Sequence, residues 1–202
     1  MSDRADRDEV DDAGAAGTST WRGRLLVASP LLSDPNFERT VILLIEHGPE
    51  GALGLVLNRP SEMPVDDVLP QWDSRTAVPK AMFIGGPVQP NAVICLALAD
   101  APAGTDAGPL RPTAVPGVSL VDLECDPATI GPDVILRSFA GYAGWGEAQL
   151  EAEIDEGSWF VVDPLPGDPF AAEPSRLWRS VLARQPDPLA RYALYPADPR
   201  VN

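Results

Sequence analysis

Thr40 to Leu57 reads TVILLIEHGPEGALGLVL, and this stretch decides the fold. Two apolar runs, TVILLI (Thr40 to Ile45) and ALGLVL (Ala52 to Leu57), flank the Gly/Pro turn EHGPEG. Both runs are too short for buried helices and rich in β-branched residues, so the segment predicts an antiparallel hairpin. Gly54 inside the second run predicts a bulge or a close backbone approach. Similar runs follow at LLVA (Leu25 to Ala28), MFI (Met82 to Ile84), VICLALA (Val93 to Ala99), VILRSF (Val134 to Phe139) and WFVV (Trp159 to Val162). Most are continuous rather than alternating, which predicts strands covered on both faces.

Helices are scarcer. Trp145 to Glu156 places Leu150 and Ile154 one turn apart, with Glu147, Glu151 and Asp155 on another face and Gly157 at the C-terminal cap position. Ser175 to Ala183 carries the apolar stripe Leu177, Trp178, Val181 and Leu182, and Pro186 ends it. A short helical turn fits Val65 to Leu69, and residues 101–117 read as a loop. Two helices cannot cover both faces of a large sheet, so loops, a curled second layer or a partner subunit must complete the cover. The expectation is one α+β domain over residues 20–195, a mixed, mostly antiparallel sheet with a few flanking helices.

The ends and the charge set further bounds. Residues 1–19 hold Asp3, Asp6, Asp8, Glu9, Asp11 and Asp12 followed by small residues, too little apolar surface to offset ordering entropy. They read as a disordered acidic tail, and residues 196–202 as a short C-terminal one. No secretory signal or membrane-length apolar stretch is visible, so a soluble cytoplasmic protein is expected. Fifteen basic against thirty acidic residues give a formal charge of −15. The basic residues are scattered singly, whereas duplex DNA is gripped by a basic stripe, so direct nucleic-acid binding is disfavoured.

The chemistry-bearing residues form no complete catalytic, metal or phosphate motif, and no cofactor is expected. His47 is the single histidine and no G-x-S-x-G occurs; zinc would need ligand spacing that the two cysteines do not supply. His47 is expected to end a strand and bond backbone in the turn. In SPLLSDPNFERT, Asp34 can cap one helical turn and leave Asn36 and Arg39 at its surface, either as a recognition loop or as a connector. Asn58 and Arg59 stand at the end of the second hairpin strand, where Pro60 is expected to stop it. Gly141, Gly144 and Gly146 precede a helix in a G-x-x-G-x-G pattern, which differs from the dinucleotide fingerprint. They are read as letting Tyr142 and Trp145 pack closely rather than as a phosphate cradle.

Taken together, GRLLVASPLLSDPNFERTVILLIEH, GALGLVLNRP, GGPV (Gly85 to Val88), FAGYAGWGEAQLEAE and LWRSVL resemble the YqgE/AlgH family over roughly Gly23 to Leu182. The resemblance implies a compact α+β fold on a coiled, mostly antiparallel sheet. It also implies a protein without an agreed enzymatic activity, described as a transcriptional regulator on indirect grounds. The matched positions mark a candidate binding set: Asn36, Arg39, Glu46, His47, Asn58, Arg59, Tyr142, Trp145, Gln149 and Glu151. These polar groups beside apolar strands are expected to converge, with Arg39 or Arg59 paired to Glu46 or Glu151. The expected function is regulatory or interactive, through a protein partner or a small ligand. The alternative is an enzyme whose site the same segments assemble.

Overall fold

The computed structural model describes residues 20–100 and 108–196. The acidic segment over 1–19 and most of the C-terminal segment lie outside these residues. Strand β1 (Leu25–Ala28) pairs with β2 (Val41–Gly48), and β2 with β3 (Gly51–Val56), all antiparallel. The hairpin is as expected, and so is the bulge: Leu44 opposes Gly54 while Glu46 opposes Leu53. A Cβ on Gly54 would stand 2.5 Å from Ile42 Cγ2, so only glycine lets the strands close here.

Beyond the hairpin come β4 (Pro60–Pro64), β5 (Ala81–Ile84), β6 (Val88–Leu98), β7 (Leu110–Pro112), β8 (Val118–Val121), β9 (Ile135–Trp145) and β10 (Trp159–Val162). The sheet runs β10-β1-β2-β3-β9-β6-β8-β7, with β5 parallel to β9 and β4 on β5. Strand β9 joins the halves. Its first part pairs with β5 and β6, and its last three residues pair with β3. Between them Gly141 has φ +69°, and a Cβ there would meet the Gly86 carbonyl oxygen at 2.6 Å. The strand therefore changes direction where only a glycine fits.

Both faces are covered. Leu25, Val27, Leu43, Leu55, Phe83, Leu96 and Phe139 form the main core, closed by Leu177, Trp178, Val181 and Leu182 of α2 (Pro174–Ala183). The opposite face packs Leu26, Ile42, Leu44, Trp145 and Trp159 under Leu150 of α1 (Gln149–Asp155), with Phe37 against it. A third cluster gathers around Trp72 and Cys95. A short helix, α3 (Leu189–Tyr192), follows α2, and Tyr192 stacks on Phe160 at 5.0 Å. The α+β architecture on a curled, mostly antiparallel sheet is as the sequence predicts.

Four local expectations need correction. GYAGW is not a Gly-rich turn opening a helix; it is the end of β9, and α1 begins only at Gln149. Within the strand, Gly141 admits the neighbouring backbone of Gly86 and Val88. Pro60, expected to stop the second hairpin strand, is not what ends it: β3 already ends at Val56, and Pro60 starts β4, an edge strand paired only with β5, where a missing N–H is tolerated. Within 101–117, Leu110–Pro112 is a short strand. The helical turn at Val65 to Leu69 shrinks to a 3-10 turn over Val65–Asp67.

Candidate functional site

The candidate residues divide between opposite ends of β2. At its start, Asp34 Oδ1 accepts from the Asn36 N–H (2.8 Å), and the Asp34 carbonyl accepts from the Phe37 and Glu38 N–H groups. This is the capped turn that DPNF predicts, and it leaves Asn36 exposed. Asn58 Nδ2 then donates to the Arg39 carbonyl (2.8 Å), and Asn58 Oδ1 accepts from the Val41 N–H (3.0 Å). Arg59 donates to the Glu38 carbonyl. The motifs ERT and NRP thus meet through backbone, and the buried Asn58 amide fixes how Arg39 leaves the chain.

Arg39 adopts φ +52°, uncommon for a residue with a Cβ. Its guanidinium carbon lies 4.6 Å from the centre of the Trp178 ring, within cation–π range. It donates to the Tyr195 carbonyl (3.3 Å) and to the Pro196 carbonyl. Partial burial pushes the guanidinium below its ordinary pKa, the like charge of Arg179 pushes the same way, and Glu38 opposes them.

At the other end, His47 is almost enclosed and lies 4.9 Å from the Trp21 ring. Its Nδ1 accepts from the Trp21 N–H (3.2 Å), and its Nε2 faces Glu151 Oε1 at 3.1 Å. The tautomer with hydrogen on Nε2 satisfies both contacts. His47 ends its strand and bonds backbone as expected, but the backbone belongs to the entering chain and not to the turn.

Beside it, Glu153 accepts from the indole N–H groups of Trp145 (2.9 Å) and Trp159 (2.8 Å) and from Gln149 Nε2 (2.9 Å). Gln149 Oε1 in turn takes the Gly146 N–H (3.1 Å), so that N–H is not free to cradle a phosphate. Phe37 stacks on Trp145 and meets Trp159 edge-on. Glu153 was missing from the candidate set. The signal for it was present, since two flanking tryptophans each need an acceptor when buried.

A cleft of about 700 Å³ opens at this end, lined by Arg22, Glu46, His47, Glu50, Leu53 and Trp145 among others. It is open to solvent rather than enclosed.

The expected single cluster therefore does not form. Val41 and His47 are six residues apart on β2, roughly 20 Å at ~3.3 Å per residue. Arg39, Asn58 and Arg59 stand at one end, and Glu46, His47, Trp145, Gln149 and Glu151 at the other. Tyr142 packs on the main core, on the face opposite Trp145. Among the described residues no ion pair joins Arg39 or Arg59 to Glu46 or Glu151; His47 takes Glu151 instead. The reason is directional: DPNFERT and NRP flank the start of the hairpin, EHGPEG is its tip, and an eight-residue strand separates them. Among the described residues no group of three His, Cys, Asp or Glu is placed to hold a metal ion, and no helix is long and apolar enough to cross a membrane.

A curled, mostly antiparallel sheet with a few flanking helices defines an α+β protein whose candidate residues lie at both ends of one hairpin. The chain belongs to the AlgH-like family (DUF179), whose model matches residues 25–190. A UPF0301 protein of Streptomyces coelicolor is 48% identical over 192 residues, covering 94% of this chain and 100% of that protein. One of Mycobacterium tuberculosis is 42% identical, covering 95% of each. A crystal structure of a Corynebacterium diphtheriae protein superposes with a TM-score of 0.79 at 36% identity, covering 86% of this chain and 92% of that one. The solution structure of the AlgH protein of Pseudomonas aeruginosa gives 0.63 at 26% identity, covering 91% and 98%.

Proposed function

We propose that this chain is a non-enzymatic regulatory protein that acts by docking a protein partner at the hairpin-end cleft. The observation that carries this reading is the state of His47. Both ring nitrogens are taken, one by the Trp21 N–H and one by Glu151, so neither is presented to a substrate. Proton transfer requires a base within reach of the reacting group, and here the imidazole cross-links the entering chain, β2 and α1. An open cleft supports the same reading, because small-molecule sites bury most of their ligand. Glu46 and Glu50 on its rim and Leu53 and Trp145 on its walls are the mixed polar and aromatic composition that partner surfaces use.

The test compares captured proteins. Full-length chain carrying Glu46→Arg and Glu50→Arg, both exposed positions, is used beside the native chain as bait in native lysate. A partner retained by the native chain and by Glu62→Arg, but lost from the double variant, is the expected result. Identical captures, or chemical conversion of a metabolite pool that tracks the same double variant, would overturn the reading.

A further inference from the structure

At the end of the hairpin opposite the cleft, charge and geometry are out of balance. The chain has twice as many acidic as basic residues. Among the described residues, five of the twelve lysines and arginines meet a carboxylate: Arg24 with Asp163, Lys80 with Asp73, Arg176 with Glu173, Arg184 with Asp168 and Arg191 with Asp187. Arg39, Arg59 and Arg179 are among the seven that do not. Among the described residues, none of these three has a carboxylate oxygen within ion-pair distance.

Two of them converge. Arg39 and Arg179 both donate to the Tyr195 carbonyl, at 3.3 and 3.4 Å. Arg39 also donates to the Pro196 carbonyl. Two guanidiniums on neutral carbonyl oxygens leave two positive charges close together. Arg179 acts on Arg39 more strongly than Glu38 counteracts it. In a −15 protein such a pair costs free energy that a nearby acid would remove.

The presentation is also fixed from behind. The Asn58 amide, the Arg59 bond to Glu38 and the Thr40 hydroxyl on the Phe37 carbonyl (2.8 Å) hold the backbone that carries Arg39. The Trp178 ring supports the guanidinium from below, and Trp178 is itself held by its indole N–H on the Ala28 carbonyl (2.8 Å). Arg179 projects from the exposed side of α2. The Tyr195 carbonyl oxygen stands between the two guanidiniums, where one oxygen of a carboxylate or phosphate would sit, and the Pro196 carbonyl takes a second bond from Arg39.

We propose that Arg39 and Arg179 form an oxyanion-binding site, held closed by the carbonyls of Tyr195 and Pro196, which a phosphate or carboxylate group displaces. The turn after α3 is the movable part. Leu194 is 84% exposed, and Tyr195 is anchored by its ring against Tyr192 and by the two arginines. Displacing the carbonyls releases the turn that carries Tyr195 and Pro196, so the site couples an anion to the position of that turn. Arg59, one residue past Asn58, adds positive potential at the rim. The cleft at the far end of the hairpin takes no part.

The test titrates the full chain, at constant ionic strength, with inorganic phosphate and separately with citrate, read by amide ¹H–¹⁵N spectra. Saturable shifts at Arg39, Arg179 and Tyr195 are expected, with a dissociation constant of about 1 mM or tighter for one of the two probes. Which probe binds assigns the anion as phosphate or carboxylate. Arg179→Gln and Arg39→Lys should each weaken binding at least tenfold, because lysine keeps the charge but loses the fork, whereas Arg111→Ala should change nothing. If Arg39→Lys fails to fold, the exposed Arg179→Gln decides. Absence of saturable shifts by either probe up to about 50 mM, where screening flattens a surface field, refutes the site. So does unchanged affinity in Arg179→Gln, or a loss of equal size in Arg111→Ala.

Discussion

Arg137→Met removes the one fully buried arginine of β9. Arg137 is 0% exposed and has no acid beside it; Nη1 donates to the Pro79 carbonyl (3.1 Å) and Nη2 to the Val78 (2.9 Å) and Ala171 (3.2 Å) carbonyls. Its guanidinium lies 4.2 Å over the Phe83 ring. Methionine fills most of the volume but strands three carbonyls, each costing about 1–3 kcal/mol when buried and unpaired. Against that stands the burial cost of the charge, which the variant recovers, so the net loss should be about 3 kcal/mol, or roughly 6–12 °C in Tm for a chain of this length. Burial pushes the guanidinium down to about 10, well below its ordinary value. A depressed folded value means that the cost is present at every pH below 10 and relieved only above it, so the native–variant gap should be flat from pH 6 to 9. Arg137→Lys separates the fork from the charge; it should lose nearly as much as the methionine variant, since one ammonium cannot reach three carbonyls. Urea unfolding followed by circular dichroism measures this through the midpoint at constant slope. A midpoint unchanged or raised in Arg137→Met would refute the reasoning.

Cys95 is buried with its thiol pushed up to about 11, so at pH 8 iodoacetamide should modify Cys125 alone in the native protein and both cysteines after unfolding. Two fast equivalents by mass spectrometry would contradict this. The raised value also predicts that the stability attached to Cys95 declines as pH climbs from 9 towards 11. Gly86→Ala should abolish soluble folded protein, because φ is +154° and a Cβ would stand 2.1 Å from the Tyr142 carbonyl carbon; Gly157→Ala, with open space around it, should cost only about 1–2 kcal/mol of backbone strain. Glu153→Ala strands two indole N–H groups and should lower stability by about 2–4 kcal/mol, with Glu153→Gln intermediate; thermal melts of the two variants decide it.

Much of this architecture is legible in the residues. LLVA and WFVV match β1 and β10 residue for residue, because a continuous apolar run between polar neighbours leaves little freedom in where a buried strand starts and stops. PSEMP gives no such signal: it is exposed and proline-bearing, and it becomes a strand only because β5 offers it an edge. GYAGW was misread because glycine lowers strand propensity locally, whereas in β9 it serves a tertiary purpose, the close passage of Gly85 and Gly86. In the site, the capped turn at Asp34 and the strand-end position of His47 follow from local chemistry. The pairing of His47 with Glu151 across 104 residues does not, and neither does the meeting of Arg39 with Arg179, which depends on where α2 packs. Arg137 alone left a trace, a single charge inside VILRSF.

The junction at β9 has a consequence for how the chain is made. A ribosome releases the meander β1–β2–β3 complete by residue 56, but β9's pairing with β3 begins at Ala143 and β10 ends at Val162. At roughly 5–20 residues per second, about 90 residues of synthesis leave that meander with two unpaired edges for roughly 5–18 s. Its strands are among the most apolar of the molecule, and open apolar edges invite pairing with other nascent chains. Newborn copies should therefore draw holdase chaperones during that interval, and translation slowed between codons 60 and 140 should lower the yield of folded protein even though the finished fold is unchanged.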